Sequence, residues 1–190
     1  KITIITGGPG TGKTTVINLI VRIFKQMGIS VALAAPTGRA AKRITETSGV
    51  EAMTIHRLLE YVYSEDENEM EFGRNAENPL EEDAFIVDEA SMIGTHSNGS
   101  FGFGSGDLLA DLIAYVYQGD NCHLLLIGDG AQLPPIGESD APALQCDVLE
   151  GKGLKVYECS LKEVLRQSQD SGILYNATQI RALIASDEAA

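Results

Sequence analysis

A glycine-rich loop between a strand and a helix is the feature that most constrains what this chain folds into. Residues 7–14 are Gly-Gly-Pro-Gly-Thr-Gly-Lys-Thr, which matches the pattern GxxxxGK followed by Ser or Thr. The apolar run Ile2–Thr6 precedes the loop, and Lys13–Met27 follows it with apolar side chains at helical spacing. Glycines let backbone N–H groups surround a phosphate, and the helix N-terminus favours its negative charge. The sequence therefore predicts a parallel α/β domain with a nucleotide site after its first strand.

The polar groups of this loop have expected partners on ATP. The ammonium group of Lys13 is expected to reach the β- and γ-phosphates, and the hydroxyl of Thr14 is expected to bind Mg²⁺. Backbone N–H groups are expected to make the remaining contacts. The residues predicted to bind ATP are Gly8, Pro9, Gly10, Thr11, Gly12, Lys13, Thr14 and Thr15.

Two adjacent carboxylates follow a second apolar strand. Ala84–Val87 is apolar throughout, and Asp88 and Glu89 come directly after it. Acid pairs are common on protein surfaces, but at the end of a buried strand downstream of a phosphate loop they suit metal-dependent hydrolysis. Asp88 is predicted to bind Mg²⁺ through a water molecule, and Glu89 is predicted to polarise the water that attacks the γ-phosphate.

Strand and helix patterns alternate along residues 1–190, which is typical of one domain with a parallel sheet covered by helices. Two segments interrupt the alternation. An acidic, polar stretch at about 62–82 predicts a small hairpin insertion, and the Gly- and Ser-rich residues 94–106 predict a flexible loop. The further predicted strands are Val31–Ala35, His123–Ile127 and Lys155–Leu161, and the further predicted helices are Thr37–Thr47, one beginning at Thr54, Asp107–Gln118 and Ile173–Ala185.

The net charge of −13 is unevenly distributed. Residues 1–57 contain eight basic and two acidic residues, a net charge of +6, whereas residues 58–190 contain six basic and 25 acidic residues, a net charge of −19. This charge distribution remains compatible with a nucleic-acid partner, because binding a nucleic acid requires only one basic face on the protein. The three cysteines form no CxxC pair, and no apolar run reaches the length of a membrane span. We therefore expect a cytoplasmic protein without disulfides, structural zinc or a membrane partner.

Further segments resemble the motifs of superfamily 1 helicases, with residues 7–14 as motif I. They occur in the family's order, and the combination is most similar to the RecD-like branch, whose members move 5′ to 3′ along single-stranded DNA. The resemblance implies a P-loop NTPase fold with a RecA-like sheet, and the first of two motor domains. The segments are Ala35–Ala41 for motif Ia, Thr54–Leu59 for motif Ib, Asp88–Met92 for motif II, Gly128–Gly137 for motif III and Leu161–Gln167 for motif IV.

The resemblance also implies roles for residues outside the phosphate loop. Gln132 of motif III is expected beside the γ-phosphate, where its amide senses hydrolysis, and Arg166 of motif IV is expected to stabilise charge on that phosphate. The basic run of Arg39, Lys42 and Arg43 fits equally well the solvated face of a helix. Motifs Ia and Ib are expected to make sequence-independent contacts to DNA phosphates. The candidate DNA-binding residues are Thr37, Arg39, Thr54 and His56.

Helicases of this superfamily hydrolyse ATP between two RecA-like domains, and the second domain supplies a further arginine. No motifs of that domain occur before Ala190, so this chain is expected to bind nucleotide with little ATPase activity and no unwinding by itself. The expected partners are single-stranded DNA, the missing second RecA-like domain and a recombination or repair complex. Within the insertion, residues 72–80 resemble the short pin of the branch. Gly130 departs from the family, where motif III usually has Ser or Thr.

Two other functions stay open at this point. An RNA helicase of the same superfamily would use the same phosphate contacts, because only a contact to the 2′-OH distinguishes RNA from DNA. A non-catalytic nucleotide-binding module that regulates a partner complex is the other alternative, although the intact Lys13 and Glu89 argue against it. A small kinase with a phosphate loop is disfavoured, because it would not need the Gly128–Gly137 segment.

Overall fold

Eight strands and five α-helices form the regular structure of the described residues, which in this computed structural model are 1–59, 62–66, 69–73, 83–96, 105–119, 121–163 and 179–180. The strands are β1 (Ile2–Gly7), β2 (Val31–Ala35), β3 (Ala52–Thr54), β4 (Val62–Asp66), β5 (Glu69–Gly73), β6 (Ala84–Val87), β7 (His123–Gly128) and β8 (Val156–Leu161). The helices are α1 (Lys13–Gln26), α2 (Gly38–Ser48), α3 (Ile55–Leu58), α4 (Leu108–Val116) and α5 (Cys146–Gly151), with 3-10 turns at Ala90–Met92 and Pro142–Leu144.

Six strands pair in one parallel sheet, in the order β3-β2-β6-β7-β1-β8. Near-continuous runs of Val, Ile, Leu and Ala suit strands that are covered on both faces. The register places Ile4 of β1 between Leu126 of β7 and Glu158 of β8. Because all six strands are parallel, their carboxyl ends lie at one edge of the sheet. The predicted α/β fold, with a parallel sheet flanked by helices, is confirmed.

Helices cover both faces of the sheet and bury its side chains in two apolar clusters. On one face Ile17 of α1 and Ile44 of α2 belong to the same cluster as Ile86 of β6. On the other face Tyr115 of α4 meets Phe85 of β6 edge to face, with ring centroids 6.3 Å apart. Each fully buried large apolar side chain contributes roughly 1.5–3 kcal/mol. The sheet is therefore a rigid base for the loops at its carboxyl edge.

Two short elements were not predicted from the sequence. β3 has only three residues, all half-buried, and pairs with β2 at the end of the sheet. The N–H of Ala52 in β3 donates to Oγ1 of Thr45 in α2 at 2.9 Å, which attaches the strand to that helix. α5 has six residues, of which Leu149 is buried. Both elements are too short to produce a periodic apolar pattern.

β4 and β5 form a separate antiparallel pair, with Val62 opposite Gly73 and Asp66 opposite Glu69. This pair lies in the segment for which a hairpin insertion was predicted, and residues 74–82 of that segment lie outside the described residues. The same holds for residues 97–104 of the predicted flexible loop. Of the predicted helix Ile173–Ala185, the structure describes 179–180, which are helical. Within the described ranges, no helix combines the length and apolar content that crossing a membrane requires.

Candidate functional site

The predicted nucleotide-site residues follow the carboxyl ends of neighbouring strands. The phosphate loop follows β1, Asp88 follows β6, and Gln132 lies in the loop after β7, which is the strand between them. Ligands of open parallel sheets bind in the crevice outside the strand ends. A cavity of about 210 Å³ lies at this position and brings segments together that are far apart in sequence. Its lining residues are Gly8, Pro9, Gly10, Gly12, Lys13, Thr14, Arg43, Asp88, Glu89 and Gln132.

The shape of the phosphate loop depends on two glycines. Gly10 and Gly12 have φ angles of 78° and 89°, in the left-handed region that residues with a Cβ rarely adopt. The buried hydroxyl of Thr11 donates to the carbonyl oxygen of Gly8 at 2.8 Å and closes the turn between them. This conformation agrees with a loop whose backbone surrounds an anion.

Lys13 folds back over this loop from the first turn of α1. Its Nζ donates to the carbonyl oxygens of Gly7 at 2.8 Å and Gly8 at 3.1 Å. The ammonium group is therefore held close to the loop, where phosphate oxygens can replace one of these carbonyls. Of the residues predicted to bind ATP, Thr11 and Thr15 do not line the cavity, since Thr11 bonds within the loop and Thr15 is exposed on α1. Their contacts to nucleotide stay predictions.

Asp88 and Glu89 are fixed at the point where the chain leaves β6. The N–H of Asp88 still donates to the carbonyl oxygen of Ala34 in β2 at 3.0 Å. Glu89 has a φ of 54°, a left-handed conformation that is uncommon for a residue other than glycine. Such backbone strain costs about 1–3 kcal/mol and is concentrated at functional sites. Both carboxylates line the cavity.

The carboxylate of Asp88 suits a divalent cation. Its Oδ1 is buried and accepts no hydrogen bond from the described residues. Burial raises the pKa of Asp88 above its ordinary value of 3.8, and the nearby charges of Lys13 and Arg43 act in the opposite direction. A buried polar atom without a partner is destabilising unless a ligand meets it. Because Mg²⁺ prefers one or two protein oxygens together with water and phosphate oxygens, Asp88 and Thr14, which line the same cavity, fit the predicted metal position.

The side chain of Gln132 is hydrogen-bonded to the segment that follows Asp88 and Glu89. Oγ of the buried Ser91 donates to Oε1 of Gln132 at 3.0 Å. The buried Asp129 shapes the loop, because its Oδ1 accepts from the N–H of Ala131 and its carbonyl oxygen from the N–H of Gln132, both at 3.0 Å. Gly130, which follows Asp129, is exposed and has open space where a Cβ would be, so the position has room for the Ser or Thr that the family usually has. The Ser91 hydrogen bond thus joins the loop after β7 to the segment after β6.

A second connection between the same two loops was not predicted. Oε1 of Glu138 accepts hydrogen bonds from the N–H groups of Thr95 at 2.6 Å and His96 at 3.1 Å. Gly94 lies against the carboxylate, and a Cβ at this position would be 2.7 Å from Oε1. We call this contact, formed by Glu138 and Gly94–His96, the Glu138 clasp. An isolated Glu in a loop gives no sequence signal for such a contact.

The other unexpected member of the site is Arg43. The sequence placed it in a basic run that fits a solvated helix face, and its side chain is exposed, but it also lines the cavity. Arg166, which was predicted to act on the γ-phosphate, lies outside the described residues. Its role stays a prediction.

The candidate DNA-binding residues lie on the other half of the same sheet edge, after β2 and at the end of β3. The hydroxyls of Thr37 and Thr54 cap α2 and α3, each accepting at 3.2 Å from the N–H three residues later. Arg39 is exposed on the first turn of α2. His56 is half-buried, and burial lowers its pKa. The sheet order places these residues beside the cavity, and their contacts to DNA stay predictions.

Comparisons with known proteins agree with this geometry. The family model of an AAA domain matches residues 1–138. The ATP-dependent RecD2 DNA helicase of Deinococcus radiodurans is 38% identical over 136 residues, which cover 72% of this chain and 16% of that protein. The RecBCD enzyme subunit RecD of Mycolicibacterium smegmatis is 31% identical over 199 residues, which cover 93% of this chain and 32% of that protein. The chain thus spans about a third or less of the length of these relatives.

A solved structure supports the fold independently. The crystal structure of Pif1 helicase from Candida albicans matches 88% of this chain and 37% of its own, with a TM-score of 0.59 and 21% identity. At this identity the likeness concerns the fold, and it confirms the RecA-like arrangement of the sheet. The family model, the helicase relatives and the order of the motifs agree, so the chain belongs to the AAA domain family and is a motor domain of the RecD-like branch of superfamily 1 helicases.

Proposed function

We propose that this chain is the ATP-binding motor core of a DNA helicase. It would couple ATP hydrolysis to 5′-to-3′ translocation on single-stranded DNA and to duplex unwinding in repair or recombination. The observation that carries this proposal is the cavity at the sheet edge, which brings together Lys13, Asp88, Glu89 and Gln132. The candidate DNA-binding residues lie beside it, at the N-terminal ends of α2 and α3. The relative from Deinococcus radiodurans, named as an ATP-dependent DNA helicase, supports the polymer and the energy source.

The lining residues divide the chemistry among them. Lys13 binds the β- and γ-phosphates, and Glu89 orients the attacking water and accepts its proton. Ser91 donates to Oε1 of Gln132, so the amide NH₂ of Gln132 is left as the donor to a γ-phosphate oxygen. Asp88 and Thr14 would hold Mg²⁺, which neutralises charge on the phosphate oxygens when it is bound.

We propose that these 190 residues by themselves bind nucleotide but have little ATPase activity. The cations that line the cavity within the described ranges are Lys13 and Arg43. The family resemblance implies that Arg166 and an arginine of a second RecA-like domain add to the charge that stabilises the transition state. A turnover rate on the order of 10 s⁻¹, which is typical of a complete enzyme, would contradict this when measured with the chain by itself.

Nucleotide binding is tested with Lys13→Ala, which removes the ammonium group from the phosphate loop. Loss of a charge-assisted hydrogen bond of about 1.5–3 kcal/mol lowers affinity roughly 10- to 100-fold. Titration calorimetry with MgATP measures this, and Lys25→Ala, an exposed lysine of the same helix, is the control. Equal affinities for the two variants would overturn the assignment of the cavity.

The polymer and the direction of movement need the complete motor protein. We expect its ATPase activity to rise with a single-stranded DNA oligonucleotide more than with RNA of the same sequence. We also expect it to displace streptavidin from a biotin at the 3′ end of DNA faster than from the 5′ end. Stronger stimulation by RNA would identify an RNA helicase. Unchanged function of the complete protein after Lys13→Ala would identify a non-catalytic nucleotide-binding module.

A further inference from the structure

Arg43 has a place in the structure that its neighbours in the basic run do not share. α2 carries Arg39, Lys42 and Arg43, all exposed, and of these three residues Arg43 lines the nucleotide cavity. Its position beside the same cavity as Lys13 and Gln132 goes beyond what exposure of a helix face to solvent requires. All residues of α2 are described, so Arg43 differs from Arg39 and Lys42 in its position on the helix and not in how much of the helix is known.

The packing of α2 determines where Arg43 points. Ala41 and Ile44 are buried against the sheet, which fixes the rotation of the helix about its axis. Nδ2 of Asn18 in α1 donates to the carbonyl oxygen of Thr47 at 3.0 Å, so α2 is also attached to the helix that begins at the phosphate loop. Oγ1 of Thr47 in turn donates to the carbonyl oxygen of Arg43 at 2.9 Å. The backbone at Arg43 is therefore held in place relative to the cavity.

The charges of the cavity support a role for Arg43 in binding an anion. Among the described residues, the ionisable groups that line the cavity are Lys13 and Arg43 with Asp88 and Glu89. Their formal net charge is zero with Arg43 and −1 without it. Burial raises the pKa of Asp88, and the positive charge of Arg43 acts against that rise. The guanidinium group thus lies within electrostatic reach of Asp88, and the metal that Asp88 is expected to hold lies beside the terminal phosphate.

We propose that Arg43 binds the terminal phosphate of the nucleotide and makes the site prefer a triphosphate to a diphosphate. This inference rests on the nucleotide binding proposed above. A planar guanidinium group presents parallel N–H donors that match two phosphate oxygens, which an ammonium group does not. Lys13, held at the base of the loop, contributes to both nucleotides, because it also reaches the β-phosphate.

The test compares binding of two nucleotides to the 190-residue chain. Affinities for MgADP and for the magnesium complex of the non-hydrolysable β,γ-imido analogue of ATP are measured by calorimetry for wild type and for Arg43→Ala. We expect Arg43→Ala to weaken binding of the triphosphate analogue roughly 10- to 100-fold, as for one charge-assisted contact, and binding of MgADP less than about threefold. Arg43→Lys keeps the charge without the planar donors, and it is expected to give an intermediate loss. Should Arg43→Ala fail to fold, Arg43→Gln serves in its place.

Lys42→Ala is the matched control, because it removes the same charge from the adjacent exposed position of α2. It is expected to leave both affinities unchanged. Equal losses for the two nucleotides, or no loss in Arg43→Ala, would overturn the role of Arg43. Parallel measurements with a single-stranded DNA oligonucleotide address the other interpretation of the basic run: equal weakening of DNA binding in both variants, without an effect on nucleotide, would assign Arg43 to the DNA face. If wild type binds neither nucleotide, the proposed function itself fails.

Discussion

At the scale of single residues, Asp88 is held in surroundings that disfavour its charged form. Its buried Oδ1 has no hydrogen-bond partner among the described residues, and burial raises its pKa. The raised pKa means that the folded chain holds the proton more tightly than the unfolded chain does. The stability that this group contributes is therefore complete below its ordinary pKa of 3.8 and is lost as pH rises through the folded value. Asp88 is therefore expected to lower the stability of the nucleotide-free protein, as functional-site residues often do.

The prediction for this residue is that Asp88→Asn stabilises the nucleotide-free protein. Removing this charge is expected to raise the unfolding free energy by about 1 kcal/mol, which raises the Tm at pH 7 by roughly 2–4 °C. The gain is expected to shrink as the pH falls toward 4, because Asp88 in the folded protein, whose pKa is raised above 3.8, becomes protonated. Differential scanning calorimetry between pH 4 and pH 7 measures both effects, with the exposed Asp140→Asn as control. A lower Tm at pH 7 would show that Asp88 stabilises the fold.

At the scale of elements, the sheet could be predicted and its smallest strand could not. β1, β2, β6 and β7 are buried on both faces, so they appear in the sequence as continuous apolar runs that end at a motif. β3 has no such run, and it exists because Ala52 pairs with Leu33 and bonds to Thr45. The position of Arg43 at the cavity was also missed, because it depends on the rotation of α2 rather than on any pattern of residues. Local sequence determines an element, and packing determines which side chains reach the site.

The element-scale prediction concerns Thr45→Val, which keeps the shape of the side chain and removes its hydroxyl. That hydroxyl accepts from Ala52 and donates to the carbonyl oxygen of Ala41 at 3.1 Å. An N–H group of β3 is then left without its partner, so we expect a loss of about 1–3 kcal/mol in unfolding free energy. Urea denaturation measures the change. Thr47→Val, in which an exposed hydroxyl bonds only within its own helix, is expected to lose less, and an equal loss would contradict the role of Thr45 in holding β3.

At the scale of the whole molecule, the two halves of the sheet edge are expected to serve two ligands. Motif I and the acid pair border the cavity, and the candidate DNA-binding residues lie after β2 and from the last residue of β3 onward. Arg39 and Arg43 are four residues apart on α2 and therefore lie on the same face of that helix. The net charge of +6 on residues 1–57 coincides with this part of the fold, whereas the rest of the chain is strongly acidic. DNA is therefore expected to meet one basic region of an otherwise negative surface.

This distribution predicts a local rather than a global charge effect on DNA binding. Arg39→Ala is expected to weaken binding of single-stranded DNA and to reduce the slope of log affinity against log salt by about 0.7, the value for one phosphate contact. Arg22→Ala removes the same charge from the exposed side of α1 and is expected to leave the slope unchanged. Fluorescence anisotropy over a salt series measures both. If both variants reduced the slope equally, net charge would govern binding instead of Arg39.

The Glu138 clasp restricts how this domain can be recombined with its relatives. Gly94 and Glu138 belong to loops that follow different strands. The carboxylate of Glu138 occupies the space that a side chain at position 94 would need. A chimera with a crossover between these positions would combine loops from two parents that were never fitted to each other. The loops after β6 and β7 therefore constitute one block of exchange, and a library of hybrid motors should inherit both from the same parent.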